Sequence, residues 1–89
     1  MKNLTIIDHP PGMRKNPALH DIYKQRIADG KTVLVLSSTH RDTTAARVVI
    51  IGGHADVVLI DNEAMALENV QALASEFPDV EFVASMMPF

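Results

Sequence analysis

Lys31-Thr32-Val33-Leu34-Val35-Leu36-Ser37-Ser38-Thr39-His40-Arg41-Asp42-Thr43-Thr44 opens the stretch that decides the fold; it runs on through Ala45–Ile51 and Gly52-Gly53 to Val57-Val58-Leu59-Ile60-Asp61. Two short apolar runs rich in β-branched residues bracket a polar loop and an apolar segment closed by two glycines. Strand, polar turn, helix and strand in that order make a βαβ unit, whose two strands lie parallel and buried. In such a sheet the loops that follow the strands gather at one edge, where ligands bind. The rival for this stretch is a hairpin, because Arg47-Val48-Val49-Ile50-Ile51 is β-branched and loses side-chain freedom in a helix. The helix is preferred, since a parallel pair needs a crossover, Asp42 suits an N-cap, and Thr43-Thr44-Ala45-Ala46-Arg47 shows no strand alternation.

The flanking segments extend the pattern in both directions. Leu4-Thr5-Ile6-Ile7-Asp8 reads as a first strand, and His9-Pro10-Pro11-Gly12-Met13 as irregular, because two prolines in succession remove donors and hold the chain extended. Asn16 as N-cap and Pro17 at the first helical position start a helix with an apolar stripe of Leu19, Ile22, Tyr23 and Ile27, and Gly30 closes it. A third helix carries Ala66, Val70, Leu73 and Phe77, with Glu63 in its first turn, where the dipole favours an acid, and Pro78 beyond its end. Val80-Glu81-Phe82-Val83-Ala84-Ser85 is a fourth strand. The expectation is a single domain over residues 1–89: an α/β three-layer sandwich with three helices and a four-stranded parallel sheet of order 2-1-3-4.

Composition narrows the class. The 89 residues are 47% hydrophobic and 21% charged, within the range of ordinary globular chains. There is no Cys, which removes disulfide scaffolds and thiolate metal sites. No apolar run reaches membrane-spanning length, and Met1-Lys2-Asn3-Leu4 has no signal-peptide core, so a cytoplasmic protein without membrane contact is expected. Residues 1–47 hold all eight Lys and Arg against four Asp, and residues 48–89 hold seven acids and no Lys or Arg. This is either the by-product of two halves that interleave in space or a dipolar surface. With one Tyr, three Phe and a net charge of −3, nucleic acid is not an expected partner.

Parallel strands would bring Asp8, Ser37-Ser38, Asp61 and Ser85 to one edge. Asp8 and Asp61, on neighbouring strands in the expected order, could hold Mg²⁺ through oxygen ligands; the alternative is that they are solvated or cap helices, with no cofactor at all. The hydroxyl-rich loop Ser37, Ser38 and Thr39, together with Arg41, leads into a helix N-terminus and could hold an anion; ordinary helix capping uses the same residues. Gly30-Lys31-Thr32 is no phosphate loop, because it precedes a strand and lacks the upstream glycine. His9, His20, His40 and His54 have no zinc-site spacing, and neither Ser37 nor Ser38 sits in a nucleophile elbow.

Ile6-Ile7-Asp8-His9-Pro10, the segment Ala55-Asp56-Val57-Val58-Leu59-Ile60-Asp61, and Phe77-Pro78-Asp79-Val80 through Ser85 resemble the first, third and fourth strands of bacterial response-regulator receiver domains, members of the flavodoxin-like class. That resemblance implies Asp61 as a phospho-acceptor, Asp8 as a Mg²⁺ ligand and Ser85 as a switch hydroxyl. The chain departs from the pattern at His9, where receivers have a second acid, and at Glu63-Ala64-Met65, where they have Pro and Gly. It also has no fifth strand carrying a phosphate-pairing Lys. The implied protein is a shortened, degenerate receiver: a non-catalytic regulatory or protein-interaction module. The alternative is a small Mg²⁺-dependent phosphotransfer or nucleic-acid-processing enzyme using Asp8 and Asp61. His20-Asp21 and Asp61-x-Glu63 resemble cobalamin-binding and toprim motifs more faintly. A fourth strand placed last would leave Phe82, Val83, Met86, Met87 and Phe89 on a sheet edge, which predicts pairing with a second copy or a protein partner there.

Overall fold

The computed structural model describes residues 2–9, 16–36, 42–61 and 65–86. Its elements follow as β1 (Leu4–Asp8), α1 (Pro17–Ala28), β2 (Val33–Leu36), α2 (Thr43–Gly52), β3 (Val57–Ile60), α3 (Leu67–Glu76) and β4 (Glu81–Met86). The α/β class, three helices and four-stranded parallel sheet are as expected. The segment after Asp42 is helical, not one arm of a hairpin. Asp42 Oδ1 accepts from Ala45 N at 2.7 Å, and the satisfied first turn offsets the low helix propensity of the valines and isoleucines behind it.

The strand order differs from expectation: it is β1-β4-β3-β2, with all three pairings parallel. The expected order 2-1-3-4 put β1 between β2 and β3 and made β4 an edge. Instead β4 lies between β1 and β3, while β1 and β2 are the edges. Asn3 shows one reason. Its side-chain amide donates to Ala74 O, Phe77 O and Val80 O at 2.9, 3.0 and 3.1 Å, and Phe82 N donates to Asn3 O at 2.7 Å. One residue thus satisfies carbonyls at the end of α3 and seats the start of β1 against β4. The apolar edge expected on Phe82, Val83 and Met86 is not found, because β4 is interior and Phe82 and Val83 are buried, so partner contact through that strand loses its basis; Met87 and Phe89 lie outside the described residues.

Topology also fixes the layers. The step from β1 to β2 crosses the sheet one way, and the steps β2 to β3 and β3 to β4 return the other way. Right-handed crossovers then require α1 on one face and α2 with α3 on the other. The core divides accordingly. Leu36, Ile50, Val58, Ile60, Val70, Leu73 and Phe82 pack on the two-helix side, and Leu19, Val57, Leu59 and Val83 pack on the side of α1. β3 is buried along its whole length, whereas β1 exposes Thr5, Ile6 and Asp8.

The helix faces follow. In α1, Asn16 caps Ala18 N at 2.9 Å and Pro17 takes the first position, as expected; Gly30 adopts φ +78°, the left-handed geometry that ends a helix cheaply. Its apolar stripe is split: Leu19 is buried and Ile22 partly so, while Tyr23 and Ile27 are exposed. In α3 the buried residues are Val70, Leu73 and Ala74; Ala66 is the N-cap, Phe77 the C-cap, and Glu68 the acid of the first turn. Glu63 lies outside the described residues.

Among the described residues, two Arg–Glu ion pairs join the basic first half to the acidic second. Arg26 meets Glu81 in a bidentate contact of 2.8 and 3.1 Å, and Arg47 Nε meets Glu76 at 2.7 Å. The hydrogen bonds and charge of Arg26 hold the Glu81 carboxyl below its ordinary value of 4.5. With 38% of its side chain exposed, the Glu81 carboxylate is screened by water, and the stabilisation is modest.

Two outcomes follow. Phe82→Ala should lower unfolding free energy by about 3–5 kcal/mol in urea melts, since the ring is fully buried in the middle of the sheet. Because the folded pKa of Glu81 is depressed, its contribution is complete above the ordinary value and disappears as pH falls through the lowered one. The stability gap between wild type and Glu81→Gln should therefore shrink on acidification below 4.5; a gap constant from neutral pH into acid would refute the pairing.

Candidate functional site

The carboxyl ends of the strands do form one edge, but the groups that meet there differ from those expected. Alternation along a strand decides which. Leu4, Ile6 and Asp8 share one face of β1, on the side of the two helices, and Ile7 and His9 share the other. Asp8 is therefore directed away from α1 and is exposed. Its strand is separated from β3 by β4, with Asp8 level with Met86. Asp8 and Asp61 therefore do not end neighbouring strands, and the side-by-side placement expected to let them share Mg²⁺ is not found. Among the described residues no group of three His, Asp or Glu side chains is arranged to hold a metal ion.

His9 is the residue that reaches Asp61. It follows β1, its N–H donates to Met86 O at 2.8 Å, and it is 5% exposed. Its Nδ1 lies 2.9 Å from Ser85 Oγ and 3.9 Å from Asp61 Oδ1. Ser85 is flanked in the sheet by Ile7, and Asp61 stands one step past the pair Ile60–Ala84, level with Ser85. Asn16 completes the cluster. Its amide nitrogen donates to Ser85 Oγ and to Asp8 O, both at 3.0 Å, while its oxygen caps α1.

This arrangement constrains the chemistry. A serine hydroxyl carries one hydrogen and two lone pairs. With Asn16 donating to it, Ser85 can donate to a neutral His9 or accept from a protonated one, so the contact survives either state. A hydrolytic relay requires the hydroxyl and the acid on opposite nitrogens of the imidazole. Here Ser85 and Asp61 approach the same Nδ1, and Ser85 has no solvent exposure. The cluster is built to tie the end of β1, the start of α1 and the centre of the sheet together.

Beside it, a cleft of about 270 Å³ opens between α1 and the β2–β3 half of the sheet. Leu19, Leu59 and Val35 supply apolar surface, His20 and Tyr23 line it from the helix, and Asn16 and Asp61 stand at its carboxyl end. Its cause is geometric. A four-stranded sheet is about 19 Å wide at roughly 4.8 Å per strand, and one helix covers about 10 Å. Two helices cover the opposite face; among the described residues α1 is the one helix on this face, and Val35 is 46% exposed.

Of the residues expected at the site, Asp61 and Ser85 are brought to one place and Asp8 is not. Ser37, Ser38, Thr39 and Arg41 lie outside the described residues. His9 and Asn16 were not expected there. The His-Pro following a strand and an N-cap that directly precedes Pro17 were the available signals, but nothing in their spacing placed them against Ser85. No helix among the described residues is long and apolar enough to cross a membrane.

No family model matches the chain, and no curated protein or solved structure matches it. The class that fold and site define is a four-stranded parallel α/β domain with a polar cluster and an adjoining cleft at the carboxyl edge of its sheet.

The knot predicts an asymmetric mutational response. Ser85→Ala should cost about 1–3 kcal/mol, because the Asn16 amide and His9 lose a buried partner. Asn16→Ala should cost more, since it removes the α1 cap as well. Urea midpoints measure both; an unchanged midpoint for Asn16→Ala would contradict the structure.

Proposed function

We propose that this chain is a non-catalytic regulatory binding module that works from the carboxyl edge of its sheet. One observation carries the reading: the reactive side chains there are engaged with one another and with the backbone, Ser85 fully buried between Asn16 and His9. An exposed nucleophile and a base with a free approach would be needed for group transfer, and Ser85 offers neither. The layers and the Asp61–Ser85 neighbourhood are compatible with a degenerate receiver-like role, although β1 sits on the far side of β4. The location suits binding. The chain passes from β1 to α1 on one face and from β3 to α3 on the other, the strand-end setting in which open parallel sheets hold ligands.

Partner contact through β4 is not part of this reading, because that strand is interior. The unpaired backbone edges belong to β1 and β2, where Ile6 and Val35 are exposed.

A Mg²⁺ titration followed by backbone amide shifts tests the module against a metal-dependent enzyme. Millimolar Mg²⁺ is expected to leave the Asp8 and Asp61 amides unmoved. Saturable movement of both together would overturn the reading.

A further inference from the structure

The outer edge of β1 is complementary to itself, and from it we propose that two copies of this chain pair antiparallel through β1. Their sheets then join into one of eight strands, twice the four of a single copy. The proposal is independent of what the carboxyl edge of the sheet binds.

The backbone sets which residues can meet. Asn3 O accepts from Phe82 N and His9 N donates to Met86 O, so the odd-numbered residues of β1 turn their backbone groups to β4. Alternation along the strand directs the N–H and C=O of Leu4 and Ile6 outward, away from β4. Such an edge is a template for another strand, and proteins usually blunt or cover it. Here its centre is open: Thr5 is exposed, and Ile6 is 45% exposed.

Charge sets the register. Pairing about a two-fold axis at Thr5 puts Leu4 opposite Ile6 of the second copy and Lys2 opposite Asp8, once on each side of the axis. Lys2 and Asp8 are both exposed. Lys2 stands just before the strand, and its long stem lets the ammonium reach a carboxylate across the contact. Opposite charges facing each other across two strands stabilise the pair, and like charges oppose it. The neighbouring registers, with the axis at Leu4 or at Ile6, set Lys2 against Ile6 or Asp8 against Leu4 and lose the ion pairs.

Apolar contact favours the same register. Leu4 packs against the core on the side of α2 and α3, whereas Ile6, two residues on, is uncovered. Each Ile6 gains the Leu4 of the other copy. The two Thr5 meet at the axis, a favourable cross-strand pair.

The other edge, β2, lacks this complementarity. Its stretch Lys31-Thr32-Val33-Leu34-Val35-Leu36-Ser37 holds a Lys and no acid, so an antiparallel copy has no carboxylate to offer. A contact between β1 of one copy and β2 of the next can oppose Asp8 to Lys31, but it leaves an unpaired edge at each end and grows without closing. The β1–β1 contact closes at two copies.

One short strand from each copy makes the contact, which belongs with weak and transient associations. Sedimentation of the whole chain is expected to show a monomer–dimer equilibrium with a Kd of about 1 mM or tighter and no larger species. Raising NaCl from about 50 to about 500 mM should weaken it. Lys2→Glu and Asp8→Lys should each weaken self-association about tenfold or more, because each sets like charges opposite one another. An equimolar mixture of the two variants should recover the dimer, since an acidic edge then meets a basic one. Both positions are exposed, and Asp8 serves Asn16 through its carbonyl, so the changes leave the fold's own contacts in place. A readout on the unaltered chain runs beside them: the Leu4 and Ile6 amides should gain protection from hydrogen exchange as concentration rises. A chain that stays monomeric up to about 1 mM, variants that associate like the unaltered chain, or a mixture no tighter than either variant alone would each overturn the proposal. So would growth beyond the dimer, or protection that rises at Val33 and Val35 instead.

Discussion

A serine hydroxyl in the middle of a parallel sheet has to be satisfied, and much of this molecule is arranged around doing so. Ser85 lies with no exposure on β4, between β1 and β3. Leaving such a group unpartnered costs about as much as the net gain from several hydrogen bonds elsewhere. Asn16 and His9 supply the partners, and each is then committed. Asn16 cannot leave without uncapping α1, and His9 cannot leave without freeing the end of β1. The order of strands, the angle at which α1 starts and the chemistry of the carboxyl edge are thus coupled through one oxygen atom. Asn16 and His9 thereby tie the sheet to the start of α1 and the end of β1.

The same coupling places the cleft. With α1 anchored at Asn16, it packs on β2 and β3, and among the described residues no second helix joins it on that face. Tyr23, which continues the apolar stripe of α1, lines the cleft, and Ile27 is exposed. On the opposite face α2 and α3 share the cover and are linked through Arg47 and Glu76. The asymmetry of one helix against two is what turns a packed sandwich into a domain with an opening at a carboxylate.

Much of this was legible in the residues, and the boundary is physical. Strands made of continuous β-branched and aliphatic residues, Asn16-Pro17 before a helix and Asp42 before another declare their elements locally, because caps and periodicity act within a few residues. All seven elements are legible for that reason, including α2 despite its valines. Strand order is a global property. It turned on Asn3 reaching carbonyls more than seventy residues away, and no local pattern announces that contact. The exposed Thr5 in β1 and the unbroken Phe82-Val83-Ala84 in β4 were the faint signs that the first was an edge and the last was central. At the site Asp61 and Ser85 were identifiable as residues ending strands. Asp8 was misjudged because alternation sends it to the opposite face from His9, and a single step in register separates the two outcomes.

The uneven charge of the two halves has its resolution in the weave of the sheet. The basic half supplies both outer strands and the acidic half both inner ones, so Arg26–Glu81 and Arg47–Glu76 join one half to the other. In a chain woven this way β1 cannot be placed in the sheet before β4. The first strand made waits for the last, with Leu4 opposite Phe82, and until then it has no neighbour in the sheet. Loss of β4 would detach β1 from the β3–β2 pair instead of trimming a margin. Closing the sheet at β1 therefore depends on a pairing between residues far apart in sequence, the kind of contact that slows folding.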